Sequence, residues 1–274
     1  MLVHLDSVRA VQPILGAMDS IIAHCDGHSP QTSATLRAAR SRTSGLNFGD
    51  FFMAPSSQKL GPPPNPGRFS LLNDNKLGEA LFARVGMELQ ARGIKVNTGT
   101  IVDATIIGAP SSTKNADKAR DPEMHQTRKG QQWYFGMKLH IGVDSQTGLS
   151  HSAVVTAANV HDKHPLPDLL HGNEQRVYGD SAYASQKALI SSKAPRAKDF
   201  TNQRTRCAGE VDEVQRAKNR NKSRVRARVE HVFAVVKRLW GFTKVRYRGL
   251  QKNATRAFTA LALANIYRRA PCLG

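Results

Sequence analysis

TGTIVDATIIGAP, residues 98–110, decides the fold. Thr, Ile and Val dominate it, β-branched side chains that suit a pleated strand, and Pro110 removes the donor that would let the strand continue. In the middle of this apolar run sits Asp103, a carboxylate whose burial costs several kcal/mol unless a cation compensates it. Downstream, WYFGMKLHIGVDSQTGLSHSAVVTAAN, 133–159, reads as two strands joined by a turn at Asp144–Gly148, with Asp144 as ordinary turn chemistry. RVYGDSAY, 176–183, predicts one more strand, with Asp180 again inside apolar sequence. Upstream, Leu77, Leu81, Val85 and Leu89 lie four apart, with Phe82 beside them, and predict an amphipathic helix that stops at Gly93.

The remaining segments fill in around these. Helices are expected from about Asp162 through His171, from Ser185, over roughly 214–240, and over 253–268, where Phe258, Leu261 and Ile266 supply the apolar positions. Residues 111–131 and 196–213 are polar and read as irregular. Three strands in hairpin-like succession, then a strand beyond a helix, predict an α/β fold: a mixed sheet flanked by helices.

Charge is distributed unevenly. The 274 residues carry 40 Lys and Arg against 21 Asp and Glu, a net charge of +19. Residues 183–274 hold 22 of the basic and 5 of the acidic side chains, while the rest of the chain is nearly balanced. A field so concentrated attracts a polyanion, and the Val, Phe, Leu and Trp interleaved with the arginines distinguish it from a solvated basic tail. No apolar run approaches the roughly 20 residues of a membrane helix, so no membrane partner is expected. The N-terminus lacks the pattern of a secretory signal. Cys25, Cys207 and Cys272, odd in number and far apart, fit neither a disulfide framework nor a zinc motif, which implies reduced thiols inside the cell.

Asp103 and Asp180 each admit a bland reading, a helix cap or an arginine partner, but two such carboxylates in one sheet favour a metal site. A third candidate comes from helix geometry. At about 100° per residue, Glu230 falls roughly 40° and Lys237 roughly 20° round from Arg226, so the three share one line. Val225, Val229, Val232 and Val236 form the core stripe, and Arg224, Arg228 and Arg238 are expected on the far side. On periodicity alone Glu230 reads first as an i,i+4 partner of Arg226. Hard divalent cations take carboxylate oxygens, and two of them a few ångströms apart clamp both oxygens of a phosphoryl displacement. No GxxxxGK[ST] loop is present, so no ATP-driven step is implied.

Smaller features have plain explanations. His161, His164 and His171 with Asp162 lack zinc spacing, and Asp162 reads as a helix cap. Trp133, Tyr134 and Phe135 offer stacking faces for bases, but a strand next to MKLHIGV would turn two of them into the core. Trp240 also reads as core. Lys114, Lys118, Arg120, Arg128 and Lys129 suit either a solvated loop or a phosphate track. Lys244, Arg246 and Arg248 alternate along KVRYRGL, which in an extended segment points all three one way, toward a DNA backbone.

The stretch 101–149, then TAANVHD at 156–162, VYGDSAY at 177–183 and RARVEHVFAVVKRLWGFTKVRYRGLQKN at 226–253 closely resemble the bacterial insertion-sequence transposases of the DDE class, family five. The likeness runs from about Asn75 to Arg269. It implies an RNase H-like catalytic domain over 99–270, with Asp103, Asp180 and Glu230 as a catalytic triad holding two Mg²⁺ or Mn²⁺ ions. It also implies the R-x3-E-x6-K signature, in which Arg226 and Lys237 flank the glutamate and contact DNA. The implied activity is cleavage at the element's ends and joining of the freed 3′-OH to target DNA. The implied partners are terminal inverted repeats, target DNA and a second copy in a homodimer, and the implied location is the cytoplasm, at the nucleoid. Where relatives carry a Tyr three residues before Arg226, this chain has Ser223.

A short helix pair is expected over 1–24, but residues 1–66 do not resemble the family's helical end-recognition region. They are rich in Ser, Gly and Pro, run into Pro62–Pro63–Pro64, and are expected to be weakly ordered. Residues 67–98 read as a helical remnant of that region, and a frameshift or alternative start would explain the replacement. Two rivals remain: a DNA-binding remnant without activity, and an RNase H-like nuclease acting on hybrids or junctions.

Overall fold

The computed structural model describes residues 73–94, 98–114, 118–207 and 210–269. The readings of residues 1–66, including the helix pair over 1–24, fall outside this range. The compact unit relevant to the site runs from Leu72 to Tyr267. It is built on a mixed six-stranded sheet flanked by helices, the α/β architecture of an RNase H-like fold.

The central strand is β1, Thr100–Gly108, and its sequence explains its position. Ile101 and Val102 point to opposite faces and both are fully buried, so both faces must be covered. On one side β1 runs antiparallel to β3, Gln132–Asp144, in a register that pairs Thr100 with Asp144 and Gly108 with Gly136. On the other it runs parallel to β5, Arg176–Tyr178, pairing Ile101 with Tyr178. The two-residue β6, Lys198–Asp199, extends the parallel half.

The far edge of β3 is shared. Its first five residues pair with β2, His125–Lys129, and from Met137 onward its partner is β4, Ser150–Ala157. Gly136 stands where the partner changes. A Cβ there would collide with the carbonyl oxygen of Ile107, so β1 and β3 approach as closely as they do only because that position is glycine.

One face of the sheet packs Val102 and Val177 against Leu166, Leu169, Tyr183 and Ile190. These come from the short helices α2, Leu166–Leu169, and α3, Lys187–Lys193, and from the 3₁₀ turn Ser181–Gln186. The long helix α4, Glu213–Phe233, lies against β1 and β5 and continues as a π-helical turn, Ala234–Leu239. Helix α1, Leu77–Ala91, meets the last helix, α5, Leu250–Arg269, through Phe82 and Phe258, with ring centroids 5.8 Å apart. Asp121 and Glu123 accept the Gly249 and Leu250 amides, each at 2.7 Å, and so satisfy two donors at the start of α5.

Several elements differ from the sequence reading. Within 111–131 lies β2, whose HQTRK sequence has no apolar face and is held by backbone pairing to β3. The helix expected over 162–171 shrinks to four residues, because Pro165 and Pro167 cannot supply helical amide donors. Asp162 caps nothing there and pairs instead with Lys138 at 2.9 Å. The stretch 196–213, expected to be irregular, contains β6 and a small ladder between Arg206–Cys207 and Glu210–Val211. Trp133 is 64 % exposed rather than core, since β3 reaches past the end of β1 there, and Trp240 is half-buried against Tyr267. No described helix is long and apolar enough to cross a membrane.

Candidate active site

The register of the parallel pair brings the first two carboxylates together. Ile101 stands beside Tyr178, so two residues further along Asp103 comes level with Asp180. Odd positions of β1 turn toward α4, where Arg226 meets Asp103 and Lys237 meets Thr105. β5 ends at Tyr178, and Asp180 caps the following 3₁₀ turn, its Oδ1 accepting the Ala182 amide at 2.9 Å.

Asp103 is 14 % exposed. Its Oδ1 accepts the Ala104 amide at 2.8 Å, and its Oδ2 accepts Arg226 Nη2 at 3.2 Å. Burial pushes its carboxyl above the ordinary value, Arg226 and the Ala104 amide pull it back, and the neighbouring charge of Asp180 pushes it up again. The net direction is upward, so the cost of burying the charge outweighs what Arg226 and the Ala104 amide return.

Glu230 lies one turn beyond Arg226 on α4 with its side chain exposed. Lys237 sits in the π turn, and its Nζ donates to Thr105 Oγ1 and to the Ile106 carbonyl, both at 3.0 Å. Burial lowers its pKa, Lys129 lowers it further, and Glu230 opposes both. Asp103, Asp180, Glu230, Arg226 and Lys237 all line a single cleft of ≈ 800 Å³. Four separate segments therefore converge on it: β1, the turn after β5, α4 and the π turn.

The cleft contains groups that sequence reasoning placed elsewhere. Arg238 was expected on the far side of the helix, yet it lines the cleft. A continuous 3.6-residue period cannot describe residues 234–239, because the π turn takes about one residue more per turn and rotates every later position on the helix. Lys138 and Asp162 also line it, with Lys138 Nζ donating to Asp162 Oδ1 and, at 2.8 Å, to the Val160 carbonyl. A lysine inside MKLHIGV was the available signal for that pair. Thr127, Arg128 and Lys129 of β2 complete the wall.

Lys244, Arg246 and Arg248 do not line the cleft. All three are exposed while Val245 and Tyr247 between them are partly covered, so the alternation holds. The segment is not a strand, however: it is tied to the end of β1 by Gly108 donating to Thr243 and Val245 donating to Gly108, then bends. Ser223 accepts Asn202 Nδ2 at 3.2 Å.

Asp144 is wholly buried as a turn residue, accepting from Thr98, Gln146 and Thr147 through both oxygens. Burial alone would raise its pKa, but the bonds from Thr147, Thr98 and Gln146 hold it below the usual carboxylate value. His161 and His164 are exposed and His171 lies beside Glu174, so they form no cluster.

Asp103, Asp180 and Glu230 offer anionic oxygen donors, which suit a hard divalent cation better than zinc; His231 is the one nitrogen ligand type in the lining. Among the described residues no three Asp, Glu, His or Cys side chains close around one point; Arg226 engages Asp103 instead. The carboxylates fit such ions in chemistry, and Asp103, raised chiefly by burial with a smaller push from Asp180, is the group a cation would relieve.

Residues 95–266 match the family model described as Transposase DDE domain, and no solved structure matches the chain.

Proposed function

Because the chain belongs to the family of the transposase DDE domain, we propose that it mobilises an insertion sequence, cutting DNA at the element's ends and joining the freed 3′-OH to target DNA. Proteins of this family typically use divalent metals, and Mg²⁺ or Mn²⁺ is assigned to Asp103, Asp180 and Glu230 as a pair of ions. Bound there, they would supply Lewis-acid stabilisation of charge on the attacking and leaving oxygens. One observation carries the reading: Asp103, Asp180 and Glu230, from separate elements, line one cleft together with Arg128, Lys129, Arg226, Lys237 and Arg238.

The chain's own residues then divide the work. Asp103 and Asp180 gather negative charge at the end of the parallel pair, and Arg226 orients Asp103 through its 3.2 Å contact. Lys237, fixed by two bonds to β1, presents a positive charge to a phosphate without needing to be ordered on binding. Arg238, Arg128 and Lys129 add charge along the DNA path through the cleft. Lys244, Arg246 and Arg248 grip backbone outside it. We assign the protein to family five of the insertion-sequence transposases, acting as a homodimer at the nucleoid on terminal inverted repeats. The domain division is residues 1–66 as an atypical N-terminal region, 67–98 as a helical remnant and 99–270 as the catalytic domain.

The test is purified protein with a supercoiled plasmid carrying the gene's flanking DNA and Mg²⁺. Nicks that map to the element's ends and leave 3′-OH groups are expected. Salt-sensitive binding with no cutting would favour a disabled DNA-binding copy. Cutting of RNA–DNA hybrids in preference to element ends would favour a nuclease.

A further inference from the structure

The hairpin formed by β2 and the start of β3 extends beyond the sheet. β1 pairs with β3 only from Gly136 onward, and past its end the Ala109 amide still donates to the Phe135 carbonyl at 2.7 Å; among the described residues, Gln132 to Tyr134 have β2 as their only strand partner. A two-residue turn, Gly130–Gln131, closes the ribbon, with Gly130 at φ 62°. Near that tip Trp133 is 64 % exposed, one of only two tryptophans in the chain. Its cross-strand partner is Arg128, which places both side chains on one face. Among the described residues neither Arg128 nor Lys129 forms an ion pair, and both line the cleft. Arg128 is therefore common to the cleft wall and to the face that carries Trp133.

An indole left in water on a narrow ribbon gains nothing for the fold, whereas a flat aromatic beside paired cations matches the requirements of a nucleic-acid strand: phosphates for the charges and a π face for the base. We propose that this hairpin is a DNA-contacting element, in which Trp133 stacks on a nucleobase of the strand leaving the cleft while Arg128 and Lys129 hold the flanking phosphates. The inference rests on the reading of the cleft as a DNA site and adds the residue that grips the strand outside it.

Trp133 can be observed directly. In a Trp240→Phe protein it is the sole tryptophan, and its emission is followed as a duplex with a short single-stranded 3′ tail is added, with binding measured in parallel by anisotropy of a label on the DNA. The expected result is a solvent-exposed emission in the free protein that is quenched along the same binding curve. In the two-tryptophan background, Trp133→Phe retains most of the affinity and Trp133→Ala binds about tenfold more weakly. Unchanged emission on saturation with DNA, or an unchanged affinity in Trp133→Ala, overturns the proposal. So does the emission of a buried indole before DNA is added, which would mean that another part of the chain or a second copy covers the ring. If the DNA is bound and cut in an Asp180-dependent way while Trp133 stays silent, the reading of the cleft stands and only the hairpin's role falls; if no DNA is bound at all, both fall.

Discussion

Asp103 shows how the site sets stability against function. Its pKa is raised, so above the ordinary carboxylate value the fold carries a charge that burial makes costly and that Arg226 only partly offsets. Asp103→Asn is accordingly expected to leave the thermal midpoint unchanged or slightly raised while abolishing cleavage. Arg226→Gln leaves Asp103 without its cation and should lower that midpoint; thermal unfolding of both variants checks the pair. Buried histidines set the acid limit. Burial holds His140 down to about 4 and His151 to about 3, against an ordinary 6.5. The unfolded chain takes up protons that the folded chain refuses, so stability falls as pH drops below 6.5 toward those values. By pH 4.5 the loss is roughly 2–3 kcal/mol for each histidine. Urea titrations at pH 7 and 4.5 measure it, and His140→Gln should make the dependence shallower.

At the scale of elements, most of the sheet was legible because its chemistry is local. β-branched runs bounded by Pro110 and by the Asp144–Gly148 turn place β1, β3 and β4, and the four-residue spacing of Leu77, Leu81, Val85 and Leu89 places α1. β2 was not legible, since HQTRK has no alternation and its strand conformation comes from a partner it meets across a two-residue turn. The π turn was equally hidden, being a tertiary departure from a regular helical pattern, and it is why Arg238 faces the cleft. Asp103 was legible as a charge out of place in an apolar strand, whereas Asp180, read the same way, stands past the end of β5 and caps the 3₁₀ turn. Glu230, Arg226 and Lys237 were legible as a line along a helix, but the β1–β5 register that sets Asp103 beside Asp180 and the packing of α4 on β1 that joins the two groups are tertiary. Two substitutions probe these contacts. Gly136→Ala forces a Cβ into the Ile107 carbonyl and is expected to cost about 3 kcal/mol or more, or to prevent folding. Asp121→Ala removes one acceptor at the start of α5 and should cost about 1 kcal/mol, read from denaturant midpoints.

For the molecule as a whole, the excess of 22 basic over 5 acidic side chains in residues 183–274 predicts binding governed by counterion release. Affinity for DNA should fall by about a thousandfold between roughly 50 and 200 mM salt, and neutralising Lys244, Arg246 and Arg248 together should reduce the log–log slope by about 2–3. Anisotropy titrations at several salt concentrations test both. The central claim is that Asp103, Asp180 and Glu230 act as one catalytic unit. The most direct measurement is the rate of Mg²⁺-dependent cutting of an end-labelled duplex carrying the element's terminus, with Asp103→Asn, Asp180→Asn, Glu230→Gln and one double variant compared at saturating DNA. The account predicts that each single change lowers the rate by about a thousandfold or more with DNA binding kept, and that the double variant is no worse than its parents. Any one of the three cutting at the unmodified rate would contradict it.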